Sequence, residues 1–481
     1  MITFIVSLIL LFIGYFFYAK IIERNFGINE KNETPAYKFR DGVDYVPMHW
    51  AKVFMIQFLN IAGLGPIFGA VAGAMWGPAA FLWIVFGSIF AGAVHDYHSG
   101  MISIRLNGIS INEIVGKYLG PIMKHFMAFY TLFLMILVGA VFISGPAKIL
   151  VGISDNFFNL AQWSFIIFIY YFLATLLPID KIIGKIYPLF AAAMLIMAVG
   201  ILGAMFIEGY KIPELTLANL HNNPEKFPFF PMMFITIACG AISGFHSTQS
   251  PLMARCIENE KLGRRVFYGA MITEAIVAMI WAAIAMAFFG GVAQLNSEMV
   301  KHQGNAAYVV NLISNTLLGR IGAILALLGV VAAPITSGDT ALRSGRLIIA
   351  DYLKMNQQKI VNRLIITVPL FTITFILTQM KFDIIWRYMA WTNQTLAMIV
   401  LWAFSVYLKI EKKNYFFTLI PAIFMSMVCL TYIQVAPEGF QLNYNISVIL
   451  SSVLTIAFVT IFFKYEIIKL LNYKKVGVIN E

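Results

Sequence analysis

The chain has 481 residues, 60% of them hydrophobic, a mean hydropathy of +0.81 and only 12% Asp, Glu, Lys or Arg. That charged fraction is about half the roughly 25% usual in soluble globular domains, so a soluble multidomain protein is excluded and an all-α polytopic membrane protein remains. The formal net charge of +11 does not call for nucleic acid, because basic residues in a membrane protein first have to be sorted by side of the bilayer.

Thirteen segments offer the roughly 20 apolar residues that a hydrocarbon core about 30 Å thick demands. They are 2–19, 52–75, 79–103, 122–146, 161–178, 187–207, 230–247, 264–289, 318–337, 362–379, 383–407, 416–433 and 446–469. The first lacks a basic n-region and a small-residue cleavage site, and so reads as a retained span. With connections numbered along the chain, 27 of the 34 Lys and Arg residues fall on the odd side; the other seven are Lys148, Lys211, Lys226, Lys301, Arg320, Lys381 and Arg387. The positive-inside rule then predicts an external N-terminus, a cytoplasmic C-terminus and an inner-membrane location. Cys239, Cys256 and Cys429 form no CxxC motif and read as ordinary core or interfacial residues.

Two spans are poorly formed helices. The second carries Asn60-Ile-Ala62-Gly63-Leu-Gly65-Pro66, and the seventh runs Cys239-Gly240-Ala-Ile-Ser243-Gly244-Phe245-His246 to Gln249-Ser250-Pro251. Glycine and proline predict unwinding in both, and unwound backbone in a membrane is tolerated where it is buried in protein or lines a cavity. A tightly packed Gly/Pro kink explains either break alone. The pair is more telling, because the breaks stand five spans apart. Each half also carries a short amphipathic stretch ending in Leu-Gly, Leu119-Gly120 and Leu318-Gly319. This predicts two five-helix halves of inverted topology, 51–229 and 230–408, preceded by residues 1–50 with one helix and followed by 409–481 with two. Paired interruptions of this kind point to a transporter's binding site. Expected substrate contacts are Asn60, Gly63, Gly65, Ser243, Gly244, Phe245, His246 and Gln249.

Ionisable groups within spans are costly and tend to face a cavity or a partner. His95-Asp96-Tyr97-His98 puts two imidazoles one turn apart, which suits either a hydrogen-bonded network or a cation; His95 and His98 are candidate ligands for Zn²⁺, though two histidines are a weak metal signature. His246 is expected inside the second break, and Glu274 among apolar residues calls for protonation or a basic partner. In Pro334-Ile-Thr336-Ser337-Gly-Asp339, the hydroxyls suit Na⁺ and the carboxylate a proton or a charge partner. The alternative there is a helix end whose hydroxyls bond back to the preceding turn, with Asp339 paired to Arg343. Asn393 and Gln394 read as glue between helices. No Walker A, HExxH or GxSxG sequence occurs, which argues against ATP drive and against a metalloprotease or serine hydrolase.

Several of these motifs together resemble the carbon starvation protein A (CstA) family: Asp41-Gly-Val-Asp44-Tyr45-Val-Pro47; Ile61-Ala-Gly-Leu-Gly-Pro66; Gly92 to Glu113 with Asp96, Ser103, Arg105 and Gly108; Cys239 to His246; and Thr336 to Leu353. The chain departs from the pattern at Ser250-Pro251-Leu252, where Ser-Gly-Thr is expected. The resemblance implies a non-enzymatic secondary transporter of peptides or pyruvate with a LeuT-type five-plus-five inverted repeat. By fold analogy it adds a coupling-cation site of Thr336 and Ser337 with carbonyls near Ala62 and Gly63. The expected ion-coupling set is thus Ala62, Gly63, Asp96, Glu274, Thr336, Ser337 and Asp339, with Na⁺ or H⁺ as the ion. The expected partners are a small-molecule substrate and membrane lipid, with neither ATP nor nucleic acid. An uncoupled channel, or a membrane protein holding a structural or catalytic metal, stands as the rival reading.

Overall fold

A computed structural model describes residues 1–477 apart from 43, 155–156, 177–179, 356 and 358. The described residues are helical, with one isolated β-bridge, Met48 to Ile257, and no strand among them. In the first half lie α1 (Ile2–Phe26), α2 (Trp50–Ile61), α3 (Gly65–Trp76), α4 (Ala79–Arg105), α5 (Pro121–Gly152), α6 (Leu160–Thr175) and α7 (Pro188–Ile207). In the second lie α8 (229–236), α9 (Gly244–Ala254), α10 (Glu260–Phe288), α11 (Ala306–Ala350), α12 (Ile360–Thr378) and α13 (Phe382–Ile410), followed by α14 (Phe416–Val435) and α15 (Tyr444–Lys464).

Ten of these helices are long and apolar enough to cross a membrane, or eleven with the bent pair α2–α3 counted as one span. Two of the thirteen expected segments fall short of that test. Helix α6 is apolar but short over the described residues, positions 177–178 of the expected segment lying outside them, and 230–247 is interrupted between α8 and α9. Helices α4, α10 and α13 are buried over most of their lengths and form the centre. Helices α1, α12 and α15 stand at the periphery, with Phe17, Ile365 and Ile449 exposed. A soluble protein rarely shows so much contiguous apolar surface; here lipid is the solvent for it.

Both breaks are narrower than the sequence suggests. The first spans only Ala62, Gly63 and Leu64, with α2 and α3 bent by 54°. Gly65 and Pro66 already belong to the first turn of α3, where proline's missing N–H would have had no partner anyway. The second break is 237–243, and His246 sits in the first turn of α9 rather than inside the break. The stretch from Thr336 to Asp339 is not a helix end either. Helix α11 runs on through it, and wider turns over Leu327–Ala332 precede Pro334. Such widened turns supply the slack that a proline needs inside a helix.

The broken segments lie against each other and run antiparallel. Gln57 bonds to Ser250, Gly65 abuts Cys239, and Gly73 abuts Ile237, so rising numbers in one meet falling numbers in the other. Gly120 and Gly319, which end the two Leu-Gly stretches, both take positive φ, +98° and +54°. This is the left-handed region that glycine adopts at least cost.

At the ends near Met48, α2 and α9 are tied together by Met48 N–H donating to the Cys256 carbonyl at 3.0 Å. The same face holds Arg105, whose guanidinium grips Glu260 through two bonds of 2.6 and 2.8 Å. Asp41 Oδ1 accepts from the backbone N–H of Asp44 and Tyr45, which closes the turn before α2.

Candidate functional site

The second break owes its stability to polar side chains on its neighbours. Unwinding orphans backbone groups, and a buried carbonyl or N–H needs a partner. Gln394 Nε2 donates to the Phe234 carbonyl at 2.7 Å, Trp83 Nε1 to Ile237 at 3.1 Å and Ser88 Oγ to Gly240 at 2.9 Å. Asn393 caps the far side. Its Oδ1 accepts from Phe245 N–H at 2.6 Å, and its amide lies 2.8 Å from the Ser243 hydroxyl. Asn393 and Gln394 thus join helices as expected, and the segment they join is the break itself.

Close approach is the other requirement. A Cβ on Gly92 of α4 would sit 2.2 Å from the Ala241 carbonyl oxygen, and one on Gly244 would sit 2.3 Å from the Asn393 carbonyl oxygen. Both neighbours are backbone atoms, so neither gives way cheaply.

Into this packed region four ionisable side chains converge, all fully buried. Asp96 on α4 lies at the centre. Its Oδ1 is 2.8 Å from His95 Nδ1, and its Oδ2 is 2.9 Å from Nδ1 of His246 on α9. On the other side of that ring, His246 Nε2 stands 3.5 Å from Glu274 Oε2 on α10. That ring is the basic group facing Glu274, although neither Glu274 oxygen forms a hydrogen bond with it. His246 follows Asp96 by 150 positions in the sequence, and the crossing of α4, α9 and α10 brings the four side chains together. Cys239 joins them: its sulfur, an imidazole nitrogen of His246 and a Glu274 oxygen all lie within 4.8 Å of one another. Sequence reasoning missed Cys239, although its place seven residues before His246 in one interrupted span was a usable signal.

His98 points elsewhere. Its Nδ1 bonds to the Val94 carbonyl of its own helix at 2.7 Å, and its ring packs against Phe26 and Phe404. The hydroxyls of Thr336 and Ser337 bond back to the Ala333 carbonyl at 2.6 and 3.2 Å, and Asp339 lies 3.6 Å from Arg343 in the next turn. Among the expected substrate residues, Asn60, Gly63, Gly65, Ser243, Gly244, Phe245, His246 and Gln249 are all buried. Gly63 faces the Phe142 ring, and the Gln249 amide bonds to Thr248.

A cavity of about 300 Å³ opens at the other ends of the broken helices, away from Arg105. Phe68, Trp76, Thr236, Phe382 and Trp386 wall it, with Lys226 and the Arg387–Asp383 pair adding charge. It reaches α3 and α8 on either side of the crossing, and none of the expected substrate residues lines it. His221 in the 208–228 loop forms part of the rim, its ring centred 4.6 Å from that of Trp76 and 4.8 Å from that of Phe227, tilted by 44° and 46°. Burial in this aromatic contact pulls its imidazole down to about 4, and Asn223 N–H donates to its Nδ1 at 3.1 Å. The folded pKa lies below the ordinary value, so stability from the neutral ring is complete above about 6.5 and is lost as pH falls towards 4. Hydrogen-exchange protection factors across 208–228, corrected for the intrinsic pH dependence of exchange, should therefore fall over that window, and His221→Gln should remove the dependence.

The family model described as "Carbon starvation protein CstA" matches residues 1–154 and 147–320. An uncharacterized membrane protein of Haemophilus influenzae is 44% identical over 339 residues, 60% of this chain and 91% of that protein. A peptide transporter CstA of Campylobacter jejuni is 30% identical over 339 residues, 56% of this chain and 48% of that protein. The pyruvate/proton symporter BtsT of Escherichia coli is 28% identical over 332 residues, covering 56% and 46%. The chain thus spans about half the length of these two functionally named relatives. Among solved structures, a manganese transporter of Eremococcus coleocola aligns with a TM-score of 0.47 at 14% identity, covering 93% of this chain and 99% of that one.

Proposed function

The chain belongs to the carbon starvation protein CstA family, and from that premise we propose that it is a secondary active transporter. It imports short peptides or pyruvate-like small carboxylates by alternating access, with protons as the coupling ion. The names of its relatives, peptide transporter and pyruvate/proton symporter, support the substrate class. The observation that carries the proton reading is the buried line His95–Asp96–His246–Glu274, which spans α4, α9 and α10. Imidazole is the side chain whose ordinary titration falls nearest neutral pH, and here two imidazoles and two carboxylates adjoin one another beside an interrupted helix. Sodium has less support, because the Thr336 and Ser337 hydroxyls are engaged by their own helix.

The antiparallel crossing of the breaks and the paired glycines 120 and 319 support the reading of 51–229 and 230–408 as inverted LeuT-type halves. In that reading substrate enters by the aromatic cavity and reaches the breaks when they part, as closed packing at Gly65 and Cys239 gives way. The basic asymmetry places the Arg105 face in the cytoplasm and the cavity outside, at an inner membrane. Labelled pyruvate, dipeptides and tripeptides, offered to proteoliposomes under a pH or a sodium gradient, test the proposal. Concentrative uptake of one class under the pH gradient is expected. Flux that runs to equilibrium alone under every gradient would identify an uncoupled facilitator.

A further inference from the structure

The geometry of Cys239, His246 and Glu274 points to a binding site for a divalent transition-metal ion of the zinc class. His246 Nδ1 lies 2.9 Å from Asp96 Oδ2. With Asp96 ionised, that nitrogen carries the proton, and Nε2 presents its lone pair to Glu274 Oε2 at 3.5 Å. A lone pair facing a carboxylate in a fully buried place is stable only with a positive charge between them. No Lys or Arg among the described residues pairs with Glu274, and both of its oxygens and His246 Nε2 lack hydrogen-bond partners. A proton is the smallest charge that fits there. The third group makes a larger one fit as well.

Cys239 contributes a sulfur, so the three ligand atoms, all within 4.8 Å of one another, are S, N and O. Ligands of a tetrahedral Zn²⁺ lie about 3.3–3.8 Å apart, given bonds of about 2.0–2.3 Å, so side-chain movements of about 1 Å close the site. A thiolate with an imidazole selects a borderline-soft ion over Na⁺, Mg²⁺ or Ca²⁺. The surroundings are those a metal site uses. Asp96 holds the far nitrogen of the ligating imidazole and is itself held by His95; Asn393 Nδ2 donates towards the Cys239 sulfur at 3.5 Å. Binding releases the thiol proton to solvent and leaves a fourth position open. The ligands come from within the second break, from the first turn of α9 and from α10, so an ion there ties the break to one arrangement. Arrest of transport by zinc rests on the transport reading above; zinc binding itself does not.

The test uses the full chain, purified in detergent without an affinity tag and dialysed against ZnCl₂ or CoCl₂. About one zinc per chain is expected, and the cobalt form should show a thiolate-to-metal charge-transfer band. Cys239→Ser should abolish that band and weaken zinc binding at least tenfold, Glu274→Gln should weaken it similarly, and Asp96→Asn should weaken it about 10–100-fold through the imidazole it orients. Cys429→Ser should change neither measurement. Size-exclusion profiles identify any variant that fails to fold, and in that event the cobalt spectrum of the unaltered chain still decides. Zinc well below one per chain, a cobalt spectrum without the thiolate band, or equal binding by folded Cys239→Ser would overturn the assignment. Zinc bound at full stoichiometry while uptake continues undiminished would refute the arrest and leave the site standing.

Discussion

Asp96→Asn should cut concentrative uptake by about two to three orders of magnitude or more, on the scale of removing one partner from a buried charged pair, about 3–5 kcal/mol. The residue is isosteric, so the packing of α4 survives and the effect falls on charge. Asparagine offers one acceptor and one donor where Asp96 offers two acceptors. It satisfies His95 or His246, and the other imidazole must turn its proton to the opposite nitrogen. If His246 turns, its Nε2–H points at Glu274 and donates a permanent hydrogen bond to it. The site then has no reason to take up and release a proton with each cycle. Exchange of substrate across the membrane should persist at a measurable rate, because the path itself is intact. Counterflow beside gradient-driven uptake separates the two: loss of the second with survival of the first is the expected pattern.

Gly92→Ala should act on assembly instead. Its Cβ would meet the Ala241 carbonyl oxygen at 2.2 Å, and the neighbours of that carbonyl are held by Ser88 on Gly240 and Trp83 on Ile237. Neither α4 nor the break can withdraw without breaking those bonds. Overpacking alone typically costs about 1–3 kcal/mol, and each carbonyl left buried without a donor adds about 1–3 kcal/mol. The variant is expected to reach the membrane at less than about a tenth of the normal level, which such a sum makes reasonable for a marginally stable fold. Gly203→Ala, whose Cβ meets nothing within 4 Å, is the matched control and should be indistinguishable from the parent. Quantitative immunoblots of membrane fractions, with melting by fluorescence-detected size exclusion, read both.

Much of the architecture was legible because a membrane restricts the choices. Apolar length located the spans, and Gly63, Gly65, Pro66, Gly240 and Gly244 located the places where regular helix fails. The bounds of those breaks were not legible, since proline and glycine tell where a helix is weak and not where it resumes. Pro66 turned out to begin a helix, and Pro334 sits in one. His246, Asp96 and Glu274 stood out individually because burying each is expensive. Their convergence did not stand out, because contact between α4, α9 and α10 is a property of helix packing that no local pattern encodes. Cys239 passed for a core residue for the same reason: a small thiol among alanines and isoleucines carries no polar signature until its neighbours are known. The aromatic cavity over the breaks was likewise out of reach, assembled as it is from Trp76, His221 and Trp386 on three separate segments.

Coupling between substrate and proton is the claim on which the rest depends, and proton movement measures it without assuming a driving gradient. Proteoliposomes loaded with a pH-sensitive dye, with no initial pH or sodium gradient and the membrane potential clamped, receive an inward gradient of pyruvate or of a dipeptide. Proton-coupled entry acidifies the lumen as substrate enters, an effect that vanishes with Asp96→Asn and is unaffected by replacing sodium with choline. Substrate entry by the unaltered protein without any accompanying change in luminal pH would contradict it.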